Sequence, residues 1–395
     1  MLSLGSLLVS TLLLLGNLRA SFAKPSSYAV WAADSAITRG QGNGYDDYND
    51  PTKPVVSYEH GELQWGLMRL YSETGNKTYY DYILDASNVI VYDNGSIISD
   101  YSFSDYSLDP VRTGPTFVYL YQKTRDKKWK TAADTYHTQL MSHPRTAQGQ
   151  FWHKKRYPNQ GWLDGIYMGD VFYTTYVNEF QPTNSSAYDD IELQFKLMYE
   201  NTLVASTHLL YHGYDYSHTA SWASSDRGHS PEVWDRAIGW YLMALVDIIE
   251  IWPAHRSDAT FRTQLKSLAP AVAAAADPDH GVWWLVLSQA GRSGNYFESS
   301  GAAMFVYALL KGVRLGYLDD ADGSLTAAAS RAFEYMVANW VVDNGDGTMD
   351  WLNTVSVGSL SGDGSFAYYI AQTVRTNDLK GQAAFLLAAL EYEKL

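Results

Sequence analysis

The sequence contains no cysteine among its 395 residues. Neither a disulfide framework nor a thiolate nucleophile can therefore belong to this protein. Stability has to come from a large hydrophobic core instead. With 46% hydrophobic residues, a chain of this length can build one.

Positive charge is also scarce. The chain has 29 Lys and Arg against 43 Asp and Glu, which gives a formal net charge of −14. A basic footprint for nucleic acid is absent, so we expect no nucleic-acid partner. An anionic ligand would need local positive charge at its pocket, because the exterior as a whole repels it.

Several catalytic signatures are missing. The sequence has no glycine-rich phosphate loop, and its ten histidines show neither HExxH nor any other spacing typical of a metal site. The stretch 358–362, Gly-Ser-Leu-Ser-Gly, has leucine where a serine nucleophile elbow needs serine. We therefore expect neither a metal nor another cofactor.

Long hydrophobic runs occur only at the start. Leu7–Leu15 is apolar, and Ser21-Phe22-Ala23 fits a small-x-small cleavage site. Residues 1–23 are thus predicted to be a signal peptide, and the mature chain a secreted, extracellular protein without a membrane span. Export would make three glycosylation sequons usable, and these begin at Asn76, Asn94 and Asn184.

Helical periodicity dominates the remainder, with apolar residues three and four apart. Leu70 to Thr74 is echoed 50 residues later by Leu120 to Thr124, the length of one helical hairpin. The pattern predicts twelve helices: Tyr28–Ile37, Tyr58–Glu73, Tyr79–Val91, Thr116–Thr124, Trp129–Met141, Gly165–Phe180, Tyr188–His208, Glu232–Trp252, Thr260–Ala276, Ser300–Gly316, Leu325–Trp340 and Leu379–Tyr392.

Twelve helices in six hairpins predict an all-α fold, an (α/α)6 barrel formed by a single domain over residues 24–395. An open solenoid is the alternative, but no capping repeat is evident. Three long loops, Arg145–Leu163, Tyr211–Pro231 and Asn344–Ser365, are expected to gather at one end and wall a cleft.

The stretch Gly161 to Gly169 is the first candidate site. Asp164 follows Trp162 and precedes a run with helical spacing, which predicts that it caps a helix and faces a cavity. The alternative is a capping aspartate beside a core tryptophan, with no chemical role.

Three further stretches could contribute polar groups. Asp109 precedes Pro110 at a predicted helix start, and His153 and His212 lie in the long-loop regions. Pro231 is predicted to open a helix on which Arg236 and Trp240 lie four residues apart. That pair could hold a sugar carboxylate, or form a structural cation–π contact.

In this order the four stretches resemble glycoside hydrolase family 105, the unsaturated rhamnogalacturonyl hydrolases, and the related family 88 unsaturated glucuronyl hydrolases. The motifs are Trp162 to Met168 and Ser230 to Trp240. The resemblance implies an (α/α)6 barrel without a cofactor. It also implies catalytic roles for Asp164 and Asp109, and contacts to the sugar from His153, Trp162, His212, Arg236 and Trp240. Asp235 stands where the family often has glycine.

The implied reaction hydrates the C4=C5 double bond of a terminal unsaturated uronic acid, with rhamnogalacturonan fragments as the expected substrate. It needs one acid–base group, and burial against Trp162 together with the charge of Asp109 is expected to raise the pKa of Asp164. Three alternatives stay open: an unsaturated β-glucuronyl hydrolase, an inverting glycosidase using Asp109 and Asp164, and a non-catalytic carbohydrate-binding barrel. No obligate protein partner is evident.

Overall fold

The computed structural model describes residues 26–395, so the predicted signal peptide lies outside the described residues. Within that range the chain forms twelve long helices: α1 Tyr28–Thr38, α2 Tyr58–Thr74, α3 Lys77–Ile90, α4 Gly114–Thr124, α5 Lys127–Met141, α7 Val171–Phe180, α8 Ser185–Thr202, α9 Asp235–Ile251, α10 Ala259–Ala274, α11 Ser299–Arg314, α12 Ser324–Trp340 and α14 Leu379–Tyr392. None of the helices in residues 26–395 is long and apolar enough to cross a bilayer.

Shorter elements connect the long helices. They are the helices α6 Leu163–Gly165 and α13 Phe366–Ile370, and the strands β1 Gln160–Trp162, β2 Gly213–Asp215, β3 Val341–Asp343, β4 Met349–Trp351, β5 Thr354–Val355 and β6 Val374–Arg375. The strands pair as three separate antiparallel ribbons, β1–β2, β3–β4 and β5–β6. These ribbons hold the connecting loops in place and do not form a separate layer of sheet.

The long helices form two rings. Helices α2, α4, α7, α9, α11 and α14 each pack against the next, and α14 returns to α2, which closes the inner ring. Each inner helix carries one outer partner, and the last pair joins α14 to α1, so the two ends of the described chain meet. Helices α9, α11 and α14 are buried on nearly every face, as expected for the wall of a filled barrel. The predicted closed (α/α)6 barrel is confirmed.

The 50-residue echo marks equivalent hairpin turns. Thr74 and Thr124 end α2 and α4, and each hydroxyl donates to the carbonyl four residues earlier, at 2.8 and 2.7 Å. Gly75 and Arg125 then adopt a left-handed conformation, which ends the helix. Repeated local chemistry thus produces a repeated turn between inner and outer helices.

Two predicted helix boundaries are wrong because extended pairing overrides periodicity. Helix α8 ends at Thr202 rather than at His208, since Leu203 pairs with Leu210 in a bridge. Pro231 does not open a helix, and α9 begins at Asp235. The preceding Trp234 is extended and bridges to Val286 instead.

The three long loops gather at one end of the barrel, as predicted. The first and second are joined by the β1–β2 ribbon, which contains Trp162 and Gly213. The second and third are joined where the Trp222 indole donates to the Leu360 carbonyl at 2.9 Å. The inner helices begin at this end, so their partly positive N-termini face the cleft that the loops enclose.

Candidate active site

The β1–β2 ribbon brings a histidine to the predicted central aspartate. Trp162 pairs with Gly213, and the Leu163 N–H donates to the His212 carbonyl at 3.0 Å. His212 therefore lies beside the residue that follows Leu163. Its Nε2 is 3.1 Å from Oδ2 of Asp164, whose side chain is 15% exposed to the cleft.

The other imidazole nitrogen of His212 is held by a tyrosine. The Tyr369 hydroxyl lies 2.7 Å from Nδ1, and both side chains are buried. Burial raises the pKa of Tyr369 well above its usual value, so the phenol keeps its proton. A phenol that donates to Nδ1 leaves the proton of a neutral imidazole on Nε2, where it can be donated to Asp164. Trp234 stacks on Tyr369 at 5.7 Å and fixes this arrangement from behind.

Asp164 is not the predicted helix N-cap. The helix begins one residue earlier, at Leu163, and the cap position belongs to Trp162. Asp164 thus lies in the first turn, with its carboxylate free to meet His212. Gly165 allows the close packing here, since an added Cβ would lie 3.0 Å from the Leu108 side chain. The following turn, Ile166–Asp170, is a π-helix, an irregularity that often accompanies functional sites.

The predicted rise in the pKa of Asp164 is also wrong. Burial does raise it, but the electrostatic attraction and the hydrogen bond of His212 outweigh that effect, and the net pKa is lowered. His153 lowers it further. Asp164 is therefore ionised at neutral pH, and a proton-donating role requires that bound substrate raise this pKa.

Asp109 faces the same cleft but is already engaged. Its Oδ1 lies 3.3 Å from Nε2 of His153, and its Oδ2 accepts from the Lys154 ammonium. Burial lowers the pKa of His153 to about 4, so the imidazole is neutral and donates through Nε2. The two carboxylates of the cleft therefore differ: Asp109 is neutralised by a lysine, whereas Asp164 meets the His212 imidazole.

Trp162 forms the aromatic wall of the cleft. His153 stacks on it at 4.5 Å and Tyr157 at 4.7 Å. The indole N–H is held by Gln160 at 3.0 Å, which fixes the plane of the ring. Only 4% of Trp162 is exposed, so the stacked rings stiffen this wall, and the contact of Trp162 to a sugar stays a prediction.

Arg236 and Trp240 lie behind the cleft rather than in its lining. The Arg236 guanidinium is over Trp234, at 4.7 Å, and not over Trp240. It donates to Ser300 at 3.2 Å and to the Ser356 carbonyl at 3.3 Å. It thereby supports the loop that supplies Val357, Gly358 and Ser359 to the cleft.

Trp240 is a packing residue. It stacks on Tyr167 at 5.2 Å and meets the edge of Tyr58 at 6.4 Å. Tyr58 itself lines the cleft, so Trp240 positions one wall. The predicted carboxylate clamp of Arg236 and Trp240 therefore stays a prediction, and both residues support the walls of the cleft.

Asp235 does not pair with the guanidinium of its neighbour. Its Oδ1 accepts the backbone N–H of Arg236 at 2.7 Å, and the carboxyl is buried. Burial and the nearby Glu298 raise its pKa well above the usual range, so Asp235 is protonated. Arg236 is thus not neutralised by a charged Asp235.

The cleft has a volume of about 200 Å³. Larger surface clefts exist, such as one lined by Asp277 and Trp284, but they lack this combination of carboxylates and imidazoles.

The cleft also contains residues that the sequence analysis did not select: Tyr58, Lys154, Arg156, Tyr157, Met168 and Val357 to Ser359. The cations in Lys154–Arg156 were a usable signal, because they interrupt an acidic chain directly after His153. Across residues 26–395 no cluster of His, Asp or Glu is arranged to hold a metal ion.

Two substitutions of His212 separate its contacts. His212→Asn places a polar group near the Nδ1 position, which keeps the contact to Tyr369 and removes the one to Asp164. His212→Gln reaches the Nε2 position and keeps the contact to Asp164. Because His212 lowers the pKa of Asp164, we expect this pKa to rise clearly in His212→Asn. It should rise less in His212→Gln, which keeps the hydrogen bond to Asp164. Carbon-13 NMR titration of the Asp164 carboxyl measures both, and an unchanged pKa in His212→Asn would contradict this account.

Comparison with known proteins agrees with this architecture. The profile of glycosyl hydrolase family 88 matches residues 33–395. A family 105 glycoside hydrolase from Clostridium acetobutylicum superposes with a TM-score of 0.86 and 37% identity, covering 93% of this chain and 100% of its own. A 24.9 kDa protein of the picA locus of Rhizobium radiobacter is 35% identical over 191 residues, 46% of this chain and 81% of its own.

More distant structures share the fold alone. An unsaturated glucuronyl hydrolase specific for heparin superposes with a TM-score of 0.65 and 14% identity, covering 93% of this chain and 96% of its own. With a closed α/α barrel, a cleft containing Asp109 and Asp164, and a family match over nearly the whole chain, this protein belongs to the family 88 and 105 glycoside hydrolases.

Proposed function

We propose that this enzyme removes the terminal 4,5-unsaturated uronic acid from oligosaccharides that a polysaccharide lyase has released. The proposed substrates are rhamnogalacturonan fragments that end in unsaturated galacturonyl-rhamnose. The chain acts as a secreted, glycosylated protein in pectin degradation, in keeping with its leader-like first residues and its three sequons.

One observation carries the proposal: the cleft offers a single carboxylate for proton transfer. Ordinary glycoside hydrolysis uses two carboxyl groups, one on each side of the scissile bond. Here Asp109 is held by Lys154 and His153, which leaves Asp164. Hydration of a vinyl ether needs one group that first gives a proton and then helps to take one from water.

The proposed reaction begins with a proton transfer from the Asp164 carboxyl to C4 of the unsaturated sugar. The C4=C5 electron pair forms the new C–H bond, and the ring oxygen stabilises the positive charge that develops at C5. Water adds to C5 and loses a proton to the Asp164 carboxylate. The resulting hemiketal opens to a ketone at C5, and the aglycone leaves from C1 as an alcohol.

Asp164 must acquire its proton before this step. Its pKa is lowered in the free protein, and a bound uronate would raise it by adding negative charge and excluding water. The imidazole of His212, kept in one tautomer by Tyr369, donates through Nε2 to an oxygen of Asp164 in both protonation states of the carboxyl group. We accordingly expect kcat, which reports the enzyme–substrate complex, to fall as pH rises above the raised pKa that Asp164 has in that complex.

A second candidate is an unsaturated β-glucuronyl hydrolase that acts on glycosaminoglycan fragments. It is favoured by the shared fold of the heparin-specific hydrolase, and it uses the same chemistry. An inverting glycosidase would need Asp109 as a free carboxylate, and a binding barrel would need no Asp164. Both alternatives predict that the double bond survives.

A matched pair of disaccharides tests the function. Unsaturated galacturonyl-rhamnose should lose its ultraviolet absorbance as rhamnose is released, whereas the saturated disaccharide should stay intact. The unsaturated glucuronyl disaccharides of glycosaminoglycans are assayed in the same way as a third substrate. Release of rhamnose from the saturated compound would overturn the proposal, and turnover of the glucuronyl compounds alone would select the second candidate.

Asp164→Asn should lower kcat by at least about a hundredfold, the usual scale for a general acid–base group. The substitution keeps the shape of the side chain, so the thermal unfolding curve should change little. Asp279→Asn, at an exposed aspartate, serves as the matched control and should retain full activity. Near-normal turnover by a folded Asp164→Asn variant would remove Asp164 from the reaction.

A further inference from the structure

A second cavity adjoins the cleft. It has a volume of about 540 Å³ and is lined by Ser104, Asp105, Ser107 and the three consecutive cations Lys154, Lys155 and Arg156. Lys154 and Arg156 also line the cleft that contains Asp164, so the two cavities share a wall. We call the outer cavity the basic groove.

Two of its three cations have no acidic partner. Lys154 is neutralised by Asp109. Within residues 26–395, however, neither Lys155 nor Arg156 lies within ion-pair distance of a carboxylate, and both are exposed. The Lys155 ammonium donates to the Ser104 carbonyl at 3.3 Å and lies 5.8 Å from the centre of the Tyr106 ring. Asp105 is the acidic residue in the lining, so the groove retains net positive charge in a strongly acidic protein.

The guanidinium of Arg156 is nevertheless held in place. It lies 4.8 Å from the centre of the Tyr157 ring, and Tyr157 stacks on Trp162 at 4.7 Å. The aromatic stack thus extends from the wall of the cleft to the charge at its rim. Stacking on a ring leaves the N–H fork of an arginine available to a carboxylate or sulfate.

We propose that the basic groove is a subsite for an anionic group on the aglycone, beyond the unsaturated sugar. Lys155 and Arg156 would pair with a carboxylate or a sulfate, and the enzyme would therefore prefer lyase products with a second acidic group. This inference rests on the proposed function for its substrates. It assigns a role to two residues that take no part in the proton transfer.

Three unsaturated substrates distinguish the sources of the anion. Galacturonyl-rhamnose has a neutral aglycone, the corresponding tetrasaccharide carries a carboxylate on its third sugar, and a sulfated glycosaminoglycan disaccharide carries sulfate on its second. We expect kcat/KM for one of the acidic substrates to exceed that for a neutral counterpart about fivefold, the scale of partly screened surface ion pairs. This preference should fall as salt is added.

The double variant Lys155→Ala/Arg156→Ala should reduce the preference ratio to about one, and Lys155→Arg should preserve it. Lys127→Ala is the matched control, because Lys127 is exposed and begins α5 at the opposite end of the barrel. A wild-type ratio of one for both acidic substrates would overturn the subsite. So would a preference that survives in the double variant.

A binding measurement keeps the two proposals separate. A saturated acidic tetrasaccharide does not need to be cleaved, and its Kd can be measured by calorimetry. The double variant should bind it about fivefold more weakly than the wild type. Equal affinities would refute the role of the basic groove as a subsite, whatever the activity. Survival of the double bond in every substrate would refute the proposed function alone.

Discussion

The hydrogen bond between His212 and Asp164 depends on the register of a ribbon only three residues long. Because Trp162 pairs with Gly213, the residue before β2 lies next to the residues after β1. A slip of one residue would turn His212 to the other face of the ribbon. The barrel holds the loops at one end, and the pairing of β1 with β2 places His212 beside Asp164.

The two carboxylates of the cleft show how neighbours assign roles to identical groups. Asp109 is neutralised by Lys154 and accepts a hydrogen bond from a neutral His153, so its carboxylate interacts only weakly with a substrate. Asp164 meets an imidazole that Tyr369 keeps in one tautomer. Environment thus separates a positioning carboxylate from one that can exchange a proton.

Much of the fold follows from the sequence because helical periodicity is local. All twelve predicted helices are present, and the packing of α14 against α2 closes the ring. The errors arise where distant chain pairs: Leu203 with Leu210, and Trp234 with Val286, both replace predicted helix by extended backbone. Periodicity in one segment carries no information about such partners.

The site was predictable as a set of residue types but not as a geometry. His212 and Asp164 are 48 residues apart, and only the ribbon places them together. Tyr369 lies in a five-residue helix too short to leave a pattern. The wrong sign for the pKa of Asp164 has the same origin, since burial can be guessed from neighbours in the sequence whereas the imidazole partner cannot.

Turnover in D₂O tests the central claim most directly, because C4 of the sugar should receive its new hydrogen from Asp164. A carboxyl fixed on one side of the ring delivers a proton to one face only. At early times we predict a single deuteron at C4 of the released uronic acid, in one diastereotopic position. Release of the aglycone with no deuterium at C4, or with deuterium distributed equally between both positions, would contradict the account.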